Sequence, residues 1–156
     1  MSEERRKAIK EFQRRWRFHP DDINGIANFF GDHQNHAFGL SMQAMDYEAP
    51  GGRWGQGSEY FRQVDTQIWS SQHSFEEAEK ELTLFRFRKE SLREPVSDAW
   101  IKELEARIVY HKQEKEKWEQ TRRRLEEELK EIREEKQKLT EEMEECIRDM
   151  RSIPKE

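Results

Sequence analysis

From Trp100 to Ile153, apolar side chains recur at intervals of three and four residues. Ile101, Leu104, Ile108, Trp118, Leu125, Leu129, Ile132, Leu139, Met143, Cys146, Met150 and Ile153 all take the a and d positions of one unbroken heptad frame. This pattern predicts an α-helix with a narrow apolar seam that another helix must cover. No Gly or Pro interrupts the run before Pro154, so nothing in it breaks the helix.

A second frame precedes the first. Phe61, Val64, Ile68, Phe75, Ala78, Leu82, Phe85 and Leu92 fill its a and d positions, with Ser71 and Lys89 as polar members. Glu94-Pro95 ends this run, because the residue before a proline is pushed out of the α region. Ser97 as N-cap, or Asp98 as first-turn acid, opens the next. The expected helices span about 58–93 and 97–153, and a short Pro-containing turn between them predicts an antiparallel hairpin.

Placing the turn near Val96 sets Leu92 against Ile101, Phe85 against Ile108, Phe75 against Trp118, Ser71 against Arg122, Ile68 against Leu125 and Phe61 against Ile132. The long cations Lys115 and Arg122 then face the small residues Ala78 and Ser71, where their stems can cross the seam. Arg93–Asp98, Arg86–Glu105 and Glu79–Lys112 are complementary along one edge. A parallel homodimer of the long helix would instead stack His111, Lys115 and Arg122 on their own copies, a run of costly polar layers.

The hairpin uses the long helix only to about Ile132. Beyond it, Leu139, Met143, Cys146, Met150 and Ile153 continue the seam over an overhang of ~20 residues, ~30 Å at helical rise. These five form the expected partner or oligomer interface. Three covers are open to them: a second copy, another protein, or the N-terminal helices of the same chain.

Residues 1–57 form the expected N-terminal segment and 58–156 the helical body. Ser2 to Phe18 reads as an amphipathic helix with Ile9, Phe12 and Trp16 as its stripe. Ser2 suits the N-cap, Glu3 and Glu4 the first turn, and Arg14, Arg15 and Arg17 the positively favoured end. Those three arginines are the candidate anion-binding group. The preferred reading is a solvated basic face with its aromatics packed inward. A second short helix is expected from Pro20 to a stop at Gly31, followed by a connector from Met42 to Gly57. Phe29, Phe30, Phe38 and Trp54 are candidate docking aromatics.

Other patterns are weaker. Ile26, Ala27, Phe30 and Gly31 faintly suggest a helix-turn-helix, but no cationic recognition helix follows. Asp32, His33 and His36 suggest a metal, but a fourth ligand is missing and no metal is expected. Gly52 to Ser58 loosely matches a phosphate loop, without the lysine or a preceding strand.

Composition sharpens this picture. Charged residues are 40% of the 156 and hydrophobic ones 33%, which favours long solvated helices over a thick core. Lys and Arg number 29 against 34 Asp and Glu, a net charge of −5, so the whole chain makes no case for nucleic acid. One Cys excludes an internal disulfide and suits a reducing compartment. No apolar run reaches the ~20 residues of a membrane span and no signal peptide is evident, so a soluble intracellular protein is expected, in cytoplasm or nucleus.

The fold class expected is all-α: an antiparallel coiled-coil hairpin with a longer second helix, after a short-helix and loop segment. The function expected is a non-enzymatic coiled-coil interaction or scaffold subunit, assembling with itself or other proteins and needing no cofactor or small-molecule substrate. The alternative is a nucleic-acid or anionic-membrane binder acting through residues 5–18.

Overall fold

A computed structural model of the chain describes residues 1–48 and 59–155. Four helices make up its regular structure: α1 (Glu3–Trp16), α2 (Ile23–Tyr47), α3 (Glu59–Glu90) and α4 (Asp98–Arg151). No strand occurs among the described residues. Trp54 and the Gly52–Ser58 loop lie outside them.

The capping chemistry of α1 is as expected. Ser2 Oγ accepts from the Arg5 amide at 3.2 Å, and Glu3 and Glu4 occupy the first turn. Arg17 ends the helix in the left-handed region, φ 65°, with its amide donating to the Gln13 carbonyl at 2.8 Å.

The second helix departs from expectation. It starts at Ile23, runs through Gly31 without stopping, and absorbs the first residues of the expected connector, reaching Tyr47. Nothing lies within 4 Å of where a Cβ would stand on Gly31 or Gly39. Each glycine therefore weakens the helix by only ~0.5–1 kcal/mol, and the packing of Leu40 and Ala44, both buried, outweighs that local cost. Gly25 is different. A Cβ there would stand 2.9 Å from Phe18 Cβ and from Asp22 Oδ2, so the tight passage from α1 into α2 needs its bare backbone.

Contacts divide the chain into two compact units: Met1–Met45 with Leu129–Glu156, and Asp46–Glu128. These contact units follow packing rather than order along the chain. The physical reason is the length of α4, 54 residues, which supplies its first part to one unit and its last part to the other.

In the first unit, α1 and α2 pack on the last part of α4. Ile9, Phe12, Leu40, Ala44, Leu129 and Cys146 are its buried apolar residues. Arg15 pairs with Glu145 at 2.5 Å and Asp149 at 3.0 Å, and the Trp16 indole N–H donates to Asp149 at 2.9 Å. Arg5 Nη1 donates to the Pro154 carbonyl at 2.9 Å. On α2, His33 Nε2 meets Glu142 at 2.8 Å and His36 Nε2 meets Glu135 at 3.2 Å. As α2 advances its partners recede, so it runs antiparallel to this part of α4.

In the second unit, α3 packs along the first part of α4 in a manner consistent with a hairpin. Phe61, Val64, Ala78, Leu82, Leu104 and Leu125 are buried between them, along with Ser71. α3 ends at Glu90, earlier than the expected residue 93. Arg93 takes the left-handed region, φ 55°, and the Glu94 amide donates to the Arg88 carbonyl at 2.9 Å. The Leu92 amide donates to the Phe87 carbonyl at 3.3 Å, so carbonyls of the last turn are satisfied past the helix end without glycine. The Ser97 hydroxyl accepts from the Trp100 amide at 3.4 Å and caps α4.

The early stop corrects the pairing. Arg122, expected opposite Ser71, reaches Asp65 at 2.7 Å and lies 5.1 Å over the Phe61 ring. Lys112 sits 5.0 Å over Phe75, Trp100 meets Phe85 edge-on at 6.4 Å, and Lys89, not Arg93, pairs with Asp98. The layers are shifted by about one heptad, a step that keeps a facing d. Only the long-armed Arg86–Glu105 pair, 2.6 Å, forms as expected.

Two substitutions separate required from tolerated glycine. In urea unfolding, Gly39→Ala is expected to raise stability by ~0.5–1 kcal/mol, and Gly25→Ala to lower it by ~1–3 kcal/mol. Equal stability of the two variants would contradict the close approach at Gly25.

Candidate interaction surface

The sequence-derived interface residues lie in the first unit. Cys146 is 0% exposed, and Leu139, Met143, Met150 and Ile153 are half-buried. Of the three covers left open by the sequence, the structure supplies the N-terminal helices of the same chain. Burial pushes the Cys146 thiol up to about 11, with Asp149 adding to the shift and Arg15 opposing it.

Among the docking aromatics, Phe29 is the centre of an internal cluster. Its ring contacts Trp16 at 5.4 Å, Phe18 at 5.6 Å, Phe30 at 5.1 Å and His33 at 4.2 Å. Phe30 is half-buried in the same cluster. Phe38 stands 67% exposed, and Trp54 lies outside the described residues.

The three arginines are not gathered into one anion site. Arg14 pairs with Glu11 at 2.6 Å, Arg15 is turned to Glu145 and Asp149, and Arg17 caps α1. His33 and His36 face separate carboxylates on α4. Elsewhere, a hydrogen bond from Lys89 holds the Asp98 carboxyl below its ordinary range. The Tyr47 hydroxyl donates to Glu128 at 3.0 Å, which, with partial burial, raises its pKa.

The surface that sequence reasoning missed is the outer face of α3. Trp69, His73, Glu76, Lys80, Leu84 and Phe87 recur at spacings of three and four, so they share one side of the helix. That side is opposite Val64, Ser71, Ala78 and Leu82, the side turned to α4. Trp69 is 68% exposed, Leu84 52% and Phe87 53%. The Trp69 and His73 rings are stacked, 5.2 Å apart and 3° from parallel. Further along, Glu79, Lys80, Thr83, Leu84 and Phe87 line a shallow groove. The signal was present in the sequence as a second three-and-four repeat, hidden because the polar pair Glu76 and Lys80 fills its middle.

Comparison of the chain with protein-family models, with characterised proteins and with solved structures gave no match. Fold and surface thus define an all-helical protein with an apolar stripe along one helix. No helix among the described residues is long and apolar enough to cross a membrane.

The buried thiol generates a pH prediction. Its pKa is higher folded than unfolded, so the stability it contributes is complete below the ordinary thiol value near 9 and lost as the pH rises to about 11. The decline of stability across that window is expected to be steeper in the native chain than in Cys146→Ala, measured by urea unfolding at each pH. Alkylation at about pH 8 should wait on opening of the first unit. Immediate labelling of the folded chain would count against the burial.

Proposed function

We propose that the chain is a non-enzymatic interaction module, a coiled-coil helical hairpin of α3 and α4 that presents the outer face of α3 to another polypeptide. The observation that carries this reading is the exposure of Trp69, Leu84 and Phe87 along one side of a helix whose other side is already buried. Leu84 and Phe87 adjoin in one shallow exposed groove, Trp69 stands on the same side beyond Glu76 and Lys80, and Trp is the residue type most enriched where binding energy concentrates. The hairpin reading draws support from the alternating burial of Val64, Ser71, Ala78 and Leu82 against Leu104 and Leu125, and from the cationic stems of Lys115 and Arg122, half-buried at the seam.

The test is site-specific photo-crosslinking in the cells that make the protein. A photoreactive residue at Leu84 is expected to yield adducts with a polypeptide, and one at Arg124, exposed on α4, to yield far fewer. No adduct from Leu84, or equal labelling from both, would sink the proposal.

A second reading assigns anion binding to α1. Arg6, Lys10 and Arg17 are exposed. With the apolar side packed in the first unit, such binding would be purely electrostatic. It predicts affinity for anionic vesicles or nucleic acid that falls steeply with salt and disappears when Arg6, Lys10 and Arg17 are neutralised. Salt-insensitive behaviour would eliminate it.

A further inference from the structure

The geometry points to a second copy of this chain as the occupant of the α3 outer face, packed antiparallel about a two-fold axis at the level of Ala78. This inference rests on the interaction reading above and names its partner.

The outer face of α3 is partly symmetric in sequence about Ala78, although Leu84 is mirrored by the polar Gln72. Trp69 and Phe87 stand at equal distances in sequence from Ala78. So do His73 and Thr83, and so do Glu76 and Lys80. Across a two-fold axis, residue i meets j and j meets i. Antiparallel pairing therefore brings the stacked Trp69–His73 rings onto the partner's Phe87 and the partner's Thr83. Those positions belong to the shallow groove that Glu79, Lys80, Thr83, Leu84 and Phe87 line. The projecting pair and the recess are on the same helix, and the axis places each in the other twice.

Charge follows the same symmetry. Glu76 meets the partner's Lys80, and Lys80 meets the partner's Glu76. In the single chain Glu76 accepts from Gln72 at 2.6 Å and Lys80 lies 3.7 Å from Glu77. All of these contacts stay within α3 and are exposed, so the charged heads can turn to a facing helix at little cost. Parallel pairing would set Glu76 on Glu76 and Lys80 on Lys80 and leave the groove empty. From Trp69 to Phe87 the stripe is ~27 Å long at helical rise, and the exposed Glu76 and Lys80 flank the axis.

The experiment is light scattering of the full chain after gel filtration, across a wide range of concentration. The native chain is expected at about twice 19.1 kDa, dissociating on dilution. Trp69→Glu and Phe87→Glu are expected to shift it to the monomer with unchanged helix content, since both side chains are exposed in the single chain. Glu76→Lys or Lys80→Glu alone should weaken the dimer about tenfold, and the double exchange should restore it, because the reciprocal pairs re-form with reversed signs. A chain that is monomeric throughout, or a dimer indifferent to these four variants, would overturn the inference. The two proposals fail separately. A monomer whose residue 84 crosslinks to a different polypeptide removes the second copy and leaves the interaction module standing. A monomer with no crosslink removes both.

Discussion

The a and d side chains of α4 form an apolar seam that the helix cannot hide by itself, and the rest of the structure is arranged to cover it. A helix of 54 residues without Gly or Pro forms readily, but a stripe this narrow is stable in water only against other helices. Leu104 and Cys146, the two most deeply buried large side chains, lie on this seam, one in each compact unit. α3 covers the first part. α1 and α2 cover the last. The same physical requirement is met in the two units by different elements.

The use of aromatics differs between the units, and that difference carries the functional reading. In the first, Phe12, Trp16, Phe18, Phe29 and Phe30 pack against one another and against α4, so the residue types that most suggest docking are spent on internal cohesion. In the second, Trp69 and Phe87 are exposed on the side of α3 away from α4. The inner side of α3 is occupied by Phe61, Val64, Ser71, Ala78 and Leu82, all buried. α3 turns one apolar side to α4 and leaves large apolar residues exposed on the opposite side.

Cations are accommodated at the edges of the seams rather than excluded from them. Arg122 lies over Phe61 while reaching Asp65, and Lys112 lies over Phe75. Arg15 lies 4.8 Å over the Trp16 ring while pairing with two carboxylates of α4. In each case the cationic head lies over an aromatic ring while the charge remains near water. This is how a chain with 40% charged residues builds packed helices at all.

The sequence by itself determined what depends on neighbours along the chain. The Ser2 and Ser97 caps, the stop near Glu94-Pro95, the heptads of α3 and α4 and the all-helical class are local chemistry, and all were legible. Only tertiary structure decided the rest. Gly31 is a good stop by local preference, yet α2 runs through it because Leu40 and Ala44 are buried beyond it. The register of α3 on α4 is set by side-chain contacts far apart in sequence, and a shift of a whole heptad still sets a against d, so pattern alone cannot choose. The cover over Cys146 comes from residues more than a hundred positions earlier, and no local signal spans that distance. Heptads announce that a seam must be covered, because burial is a property of the seam. They do not name the cover, because apolar contact is non-directional and many surfaces satisfy it.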